Sequence, residues 1–202
     1  MRNDVTLSRR GFGGGIVAGA LVLAMPRTAL ALNVDDARAL VGRTVDQVNS
    51  IINSGKSESA MLGDFEKLFS RFADVPVIAR SALGVAAKSA SKAQLSAFTK
   101  SFQGYISRKY GRRFREFAGG KIEVTDAKPL KSYFEVISVA YLPGEAPFDL
   151  RWHVSDKSGK DLFFNLIIEG VNMLASERAE IGALLDKRKG NLDQMIEDLK
   201  SI

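Results

Sequence analysis

Phe148-Asp149-Leu150-Arg151-Trp152-His153-Val154-Ser155, followed after a polar break by Leu162-Phe163-Phe164-Asn165-Leu166-Ile167-Ile168, carries the reading on which the fold of this 202-residue chain turns. In the first segment Phe148, Leu150, Trp152 and Val154 alternate with Asp149, Arg151 and His153, the period of a strand with one apolar face. The second is apolar on both faces, which predicts a strand inside a sheet with a packing layer on each side. Asp156-Lys157-Ser158-Gly159 between them is turn chemistry, so the two should pair as an antiparallel hairpin. Upstream, residues 121–128 and 133–141 have the same extended character, with Pro129 and Pro143-Gly144 in short connectors. A four-strand meander follows.

Around this core the period changes to that of helices. Asn33 or Asp35 can cap a helix bearing Ala37, Leu40, Val41, Val45, Val48, Ile51 and Ile52, and Asn53-Ser54-Gly55 stops it. Residues 57–72 place Met61, Leu62, Phe65, Leu68, Phe69 and Phe72 on one face, and Pro76 suits the first turn of a short helix reaching Leu83. Ser91 with Gln94 has capping-box spacing and opens the longest helix, which runs to about Phe117 before Gly119-Gly120 and carries Phe98, Phe102, Tyr105, Tyr110 and Phe114. From about Ser176 helical spacing returns, and Gly190 separates a last helix. The predicted class is α+β: N-terminal helices, a four-stranded antiparallel sheet and C-terminal helices, with the helices packed on the one sheet.

The N-terminus specifies a compartment. Arg2, Arg9 and Arg10 precede the apolar run 16–25 and then Ala29-Leu30-Ala31, the layout of a signal peptide over residues 1–31. Ser8-Arg9-Arg10-Gly11-Phe12 resembles the twin-arginine signal, which implies export of a folded cargo to the periplasm. The run is too short for the roughly 20 apolar residues of a spanning helix. The segment holds Arg2, Arg9, Arg10 and Arg27 against Asp4, so without it the 29 basic and 23 acidic residues fall to 25 and 22, a net of +3. That is too mild for a nucleic-acid protein. The remaining 32–202 reads as one domain.

Little in the chain suggests catalysis. His153 is the sole histidine and there is no cysteine, so a His/Cys metal cluster is excluded and no cofactor is expected. Beside Arg151, His153 reads as a solvated side chain. The basic cluster Arg108, Lys109, Arg112, Arg113 and Arg115 reads as the solvated back of the long helix, with docking to lipid headgroups as its functional alternative.

Asp74-Val75-Pro76-Val77-Ile78-Ala79-Arg80-Ser81-Ala82-Leu83-Gly84 resembles the stretch before the long helix in the MlaC family, to which toluene-tolerance lipid-binding proteins belong. Ser91, Gln94, Phe98, Phe102 and Tyr110 continue it in register, and Glu169-Gly170-Val171-Asn172-Met173 is similar to the family's Glu-Gly-Val-Ser segment. Departures occur at Asp161-Leu162-Phe163-Phe164-Asn165, where the family has Trp-Lys-Val-Tyr-Asp, and at Val85-Ala86-Ala87-Lys88, where its Arg-Tyr-Trp is missing.

The resemblance implies a periplasmic carrier with no enzymatic step. It would hold phospholipid acyl chains in an apolar pocket enclosed by a curved sheet and helices, and ferry the lipid between an outer-membrane lipoprotein-porin complex and an inner-membrane MCE-domain ABC transporter complex, as a monomer. A hopanoid-associated branch makes a polycyclic lipid an alternative cargo. Each methylene left in water costs about 0.8 kcal/mol, so roughly 30 of them require enclosure worth up to ~25 kcal/mol. Phe102, Tyr105, Phe114, Trp152, Phe164, Leu166 and Ile168 are the residues expected to include several that touch those chains. Periodicity alone leaves core and pocket both open for each of them. Two other classes compete: a small NTF2-like enzyme with Asp149, Asp161 or His153 as general base, and a periplasmic protein-interaction module.

Overall fold

The computed structural model describes residues 31–113 and 117–202, and side-chain caps set where its helices start. Asn33 accepts from the Asp36 N–H at 2.9 Å and begins α1 (Val34–Ile52). Ser57 and Asp74 do the same for α2 (Glu58–Phe72) and α3 (Val75–Leu83), where Pro76 fits the first turn because a missing N–H there breaks no helical bond. After a 3-10 turn over Gly84–Lys88, Ser91 and Gln94 form the expected reciprocal box, each side chain accepting from the other's N–H at 3.1 Å, and open α4 (Lys92–Arg113). The signal segment, Phe114 and Arg115 lie outside the described residues.

The meander has the predicted order. Strands β1 (Lys121–Leu130), β2 (Tyr133–Tyr141), β3 (Phe148–Ser155) and β4 (Leu162–Ile168) pair antiparallel in sequence, and a two-residue β5 (Val171–Asn172) adds a fifth strand not expected from the pattern. Asn172 then caps α5 (Met173–Lys187), which therefore begins before Ser176, and Asn191 caps α6 (Leu192–Asp198). Register shifts mark irregularities in β1 between Val124 and Asp126 and in β4 opposite His153 and Val154. Such bulges bend a strand and re-aim its side chains.

Helix α1 lies on β1, β2 and β3, burying Leu40, Val41, Val45 and Val48 among core partners that include Ile122, Val136 and Leu150. Its Asn49 side chain pairs with both the N–H and the C=O of Ile122, at 2.9 and 3.0 Å, and so covers the edge of β1. β4 lies between β3 and β5, inside the sheet as expected, although its outer partner is short. Only Ile167 and Ile168 pair with β5, while the start of the strand is met by chain between α2 and α3, where the Asp74 N–H donates to the Phe163 carbonyl at 2.8 Å. β4 is apolar because α3 and α5 pack beside it, not because long strands flank it. Residues Ala31–Ile202 form one compact unit, and none of the described helices is long and apolar enough to cross a membrane.

Candidate functional site

The helices do not close fully on β3 and β4. Between them lies a cavity of about 870 Å³, counting the space at its open mouth, and its walls are almost wholly apolar. The space inside it that is open to water-sized spheres is about 140 Å³. The sheet contributes Trp152, Phe163, Leu166 and Ile168, and α2 contributes Phe65, Leu68 and Phe69. Ile106, Ser107, Tyr110 and Gly111 of α4 form another wall, and Met173, Leu174 and Glu177 of α5 complete it, with Val48 and Ile78 behind. Trp152 is fixed by donating its indole N–H to the buried Ser138 hydroxyl at 2.9 Å and by an edge contact with Phe163, centroids 5.3 Å apart. Gly111 permits the approach of α2, since a Cβ there would sit 2.3 Å from Leu62 Cδ2.

Of the seven residues expected to touch a ligand, Trp152, Phe164, Leu166 and Ile168 line this cavity. Phe102 and Tyr105 do not. Phe102 is wholly buried between Phe98 and Tyr105, with centroids 5.5 and 6.1 Å away, and belongs to the solid core. The reason is helical drift: positions four apart advance about 40° around an axis of 3.6 residues per turn. The face that begins at Phe98 and Phe102 therefore rotates, and Ile106 and Tyr110 reach the cavity instead. Phe114 is not among the described residues.

Strict alternation also misplaces one strand position. His153 stands opposite Asn165 and Val154 opposite Phe163, leaving Phe164 as the extra residue of the bulge. Phe163 consequently joins Trp152 on the cavity face. The Phe164 ring borders the cavity yet meets Tyr133 and His153 on the other face, at 5.4 and 5.8 Å. The α2 residues were visible as an apolar helical face, but nothing in their spacing separates cavity wall from core.

The basic cluster on α4 is not simply a solvated face. Arg108 donates to the main-chain oxygens of Leu199 and Ile202, tying down the C-terminus. Lys109 turns inward, donating to Glu177 Oε1 at 2.7 Å, to the Tyr105 hydroxyl at 3.0 Å and to Glu180. Burial pulls its ammonium down, but the Glu177 and Glu180 carboxylates outweigh this and hold it above its ordinary range. Burial, then the bond to Glu180, pushes the Tyr105 hydroxyl well up, so it stays protonated and donates to Glu180 at 2.6 Å.

The three candidate bases lie elsewhere. Asp149 and Asp161 are exposed, and none of the three lines the cavity. His153 is buried rather than solvated: its ring packs on Tyr133 at 4.7 Å, with Glu135 3.6 Å and Asn165 3.3 Å from its nitrogens. Burial lowers its pKa from 6.5, partly offset by Glu135.

A family model described as MlaC protein matches residues 42–201. Among solved structures, a phospholipid-binding protein from Ralstonia solanacearum, in complex with a phospholipid, superposes with a TM-score of 0.67 at 19% identity. The match covers 81% of this chain and 98% of that one, and at this identity it establishes a shared fold.

Proposed function

The chain belongs to the MlaC family, and from that premise we propose that it is a periplasmic carrier which holds the acyl chains of a phospholipid in the cavity between β3, β4 and helices α2, α4 and α5. The observation that carries this reading is the cavity itself, almost wholly apolar and walled by Trp152, Phe163, Leu166 and the phenylalanines of α2. A chain transferred into it escapes a cost of about 0.8 kcal/mol per methylene in water. The carrier acts without bond-making, as a monomer, passing lipid between an outer-membrane lipoprotein-porin complex and an inner-membrane MCE-domain ABC transporter. Native mass spectrometry of protein purified gently from the periplasm tests it. Copurified phospholipid at near one per chain is the expected result; a hopanoid mass would change the cargo, and a ligand-free protein that also takes up no added lipid would remove the reading.

Export belongs to the same proposal. Arg9-Arg10 and Ala29-Leu30-Ala31 support a twin-arginine route with cleavage after Ala31. Replacing both arginines with lysine should leave the precursor in the cytoplasm, followed by fractionation and immunoblot. Normal periplasmic yield from that variant would rule the route out.

A further inference from the structure

Glu177 stands in the cavity wall with 2% of its surface exposed, and its two carboxylate oxygens are used unequally. Oε1 accepts from Lys109 Nζ at 2.7 Å and from the Tyr110 hydroxyl, whereas Oε2 is buried with no hydrogen-bond partner. An ionised oxygen held out of water with nothing to accept is costly, and in native structures such an atom is generally completed by a water, an ion or a ligand.

Local charge says which kind of group fits. Lys109 is one cation between two carboxylates, Glu177 and Glu180, so this cluster carries an excess negative charge. Two arginines nearby are engaged elsewhere: Arg108 is committed to the Leu199 and Ile202 carbonyls, and the Arg178 guanidinium lies against Gly84. The side chains of Glu180, Lys109 and Glu177 are 46%, 28% and 3% exposed, a polar path from solvent to the cavity wall. The polar end of a lipid would lie along that path with its chains among the aromatic walls beyond.

Resting on the carrier reading, we propose that Glu177 Oε2 accepts a hydrogen bond from an N–H or O–H in the polar part of the bound lipid, and that the protein selects lipids bearing such a donor. Ammonium and hydroxyl share this chemistry. The negative excess favours the ammonium, because it stabilises a cationic donor more than a neutral one.

The experiment uses the delipidated full chain and three phospholipids of matched acyl chains in pairwise competition, with occupancy read by native mass spectrometry. Phosphatidylethanolamine and phosphatidylcholine carry the same charge, but only the first has an N–H; phosphatidylglycerol supplies hydroxyls on an anionic lipid. Ethanolamine lipid should be preferred over choline lipid by about tenfold or more, the worth of a hydrogen bond to a charged group. The glycerol lipid displacing the ethanolamine lipid would identify hydroxyl as the donor source. Glu177→Gln removes the charge and keeps the shape, so the preference for ethanolamine over choline lipid should fall to about twofold or less. Equal binding of ethanolamine and choline lipids by the unaltered protein, with no advantage for the glycerol lipid, overturns the proposal and leaves the carrier intact. Binding of none of the three overturns the carrier reading itself. These arms need no substitution, so they decide the matter even where Glu177→Gln fails to fold.

Discussion

Leu166→Asp is expected to give a folded protein that carries no lipid, and Phe102→Asp a protein that does not fold. Leu166 is only half-buried and borders the cavity, so once lipid leaves, water can enter and solvate the carboxylate. Phe102 has no exposed surface and is packed between two other rings. Truncating a buried phenylalanine costs about 3–5 kcal/mol, and placing a charge in the hole adds to it. Together these consume most of the ~5–15 kcal/mol that holds a domain folded. Extracted lipid per protein and the thermal unfolding midpoint, measured on both variants, separate the two cases. A Leu166→Asp protein that unfolds, or keeps its lipid, would show that the cavity beside β4 is not the binding site. A folded, empty Phe102→Asp protein would return the site to the aromatic face of α4.

Lys109→Met should destabilise the protein by about 2–3 kcal/mol, below the 3–5 typical of breaking a fully buried pair because the lysine is 28% exposed. The loss comes from Glu177, whose carboxylate is left buried with the Tyr110 hydroxyl as its remaining donor among the described contacts. Lys109→Met combined with Glu177→Leu should recover to within about 1 kcal/mol of the natural protein, since an apolar pair of similar volume often replaces a buried ion pair without cost. Urea unfolding of the single and double variants measures this. Equal losses in both would mean that Lys109 acts through the packing of its stem against the Tyr105 and Tyr110 rings, 5.3 and 5.5 Å from its ammonium. The ammonium is held above its ordinary value of 10.5. On the alkaline side the lysine's contribution is therefore complete below pH 10.5 and is lost as pH rises through the raised value.

The local period of the backbone was legible in the chain, and it carried most of the architecture. Residues 133–141, 148–155 and 162–168 are strands at the bounds read from their extended patterns, and Asn33, Ser57 and the Ser91–Gln94 pair start helices where their side chains can reach the next turn's N–H groups. Those features depend on a few neighbouring residues. The order of the motifs from Asp74 to Met173 was likewise enough to indicate the family. Which apolar residue faces a cavity and which fills the core depends instead on what another element places opposite it. Phe98 and Tyr110 sit on one helix with similar chemistry, yet Phe98 is enclosed on all sides while Tyr110 borders the unfilled gap that Phe65 and Leu166 also line. The bulge that sends Phe164 away from Phe163 is set by the register of β3 against β4, and Lys109 turns inward only because α5 brings Glu177 and Glu180 beside it. Each of these is a long-range pairing, and a one-residue shift in register or a 40° drift around a helix leaves the sequence pattern almost unchanged while moving a side chain to a different neighbourhood.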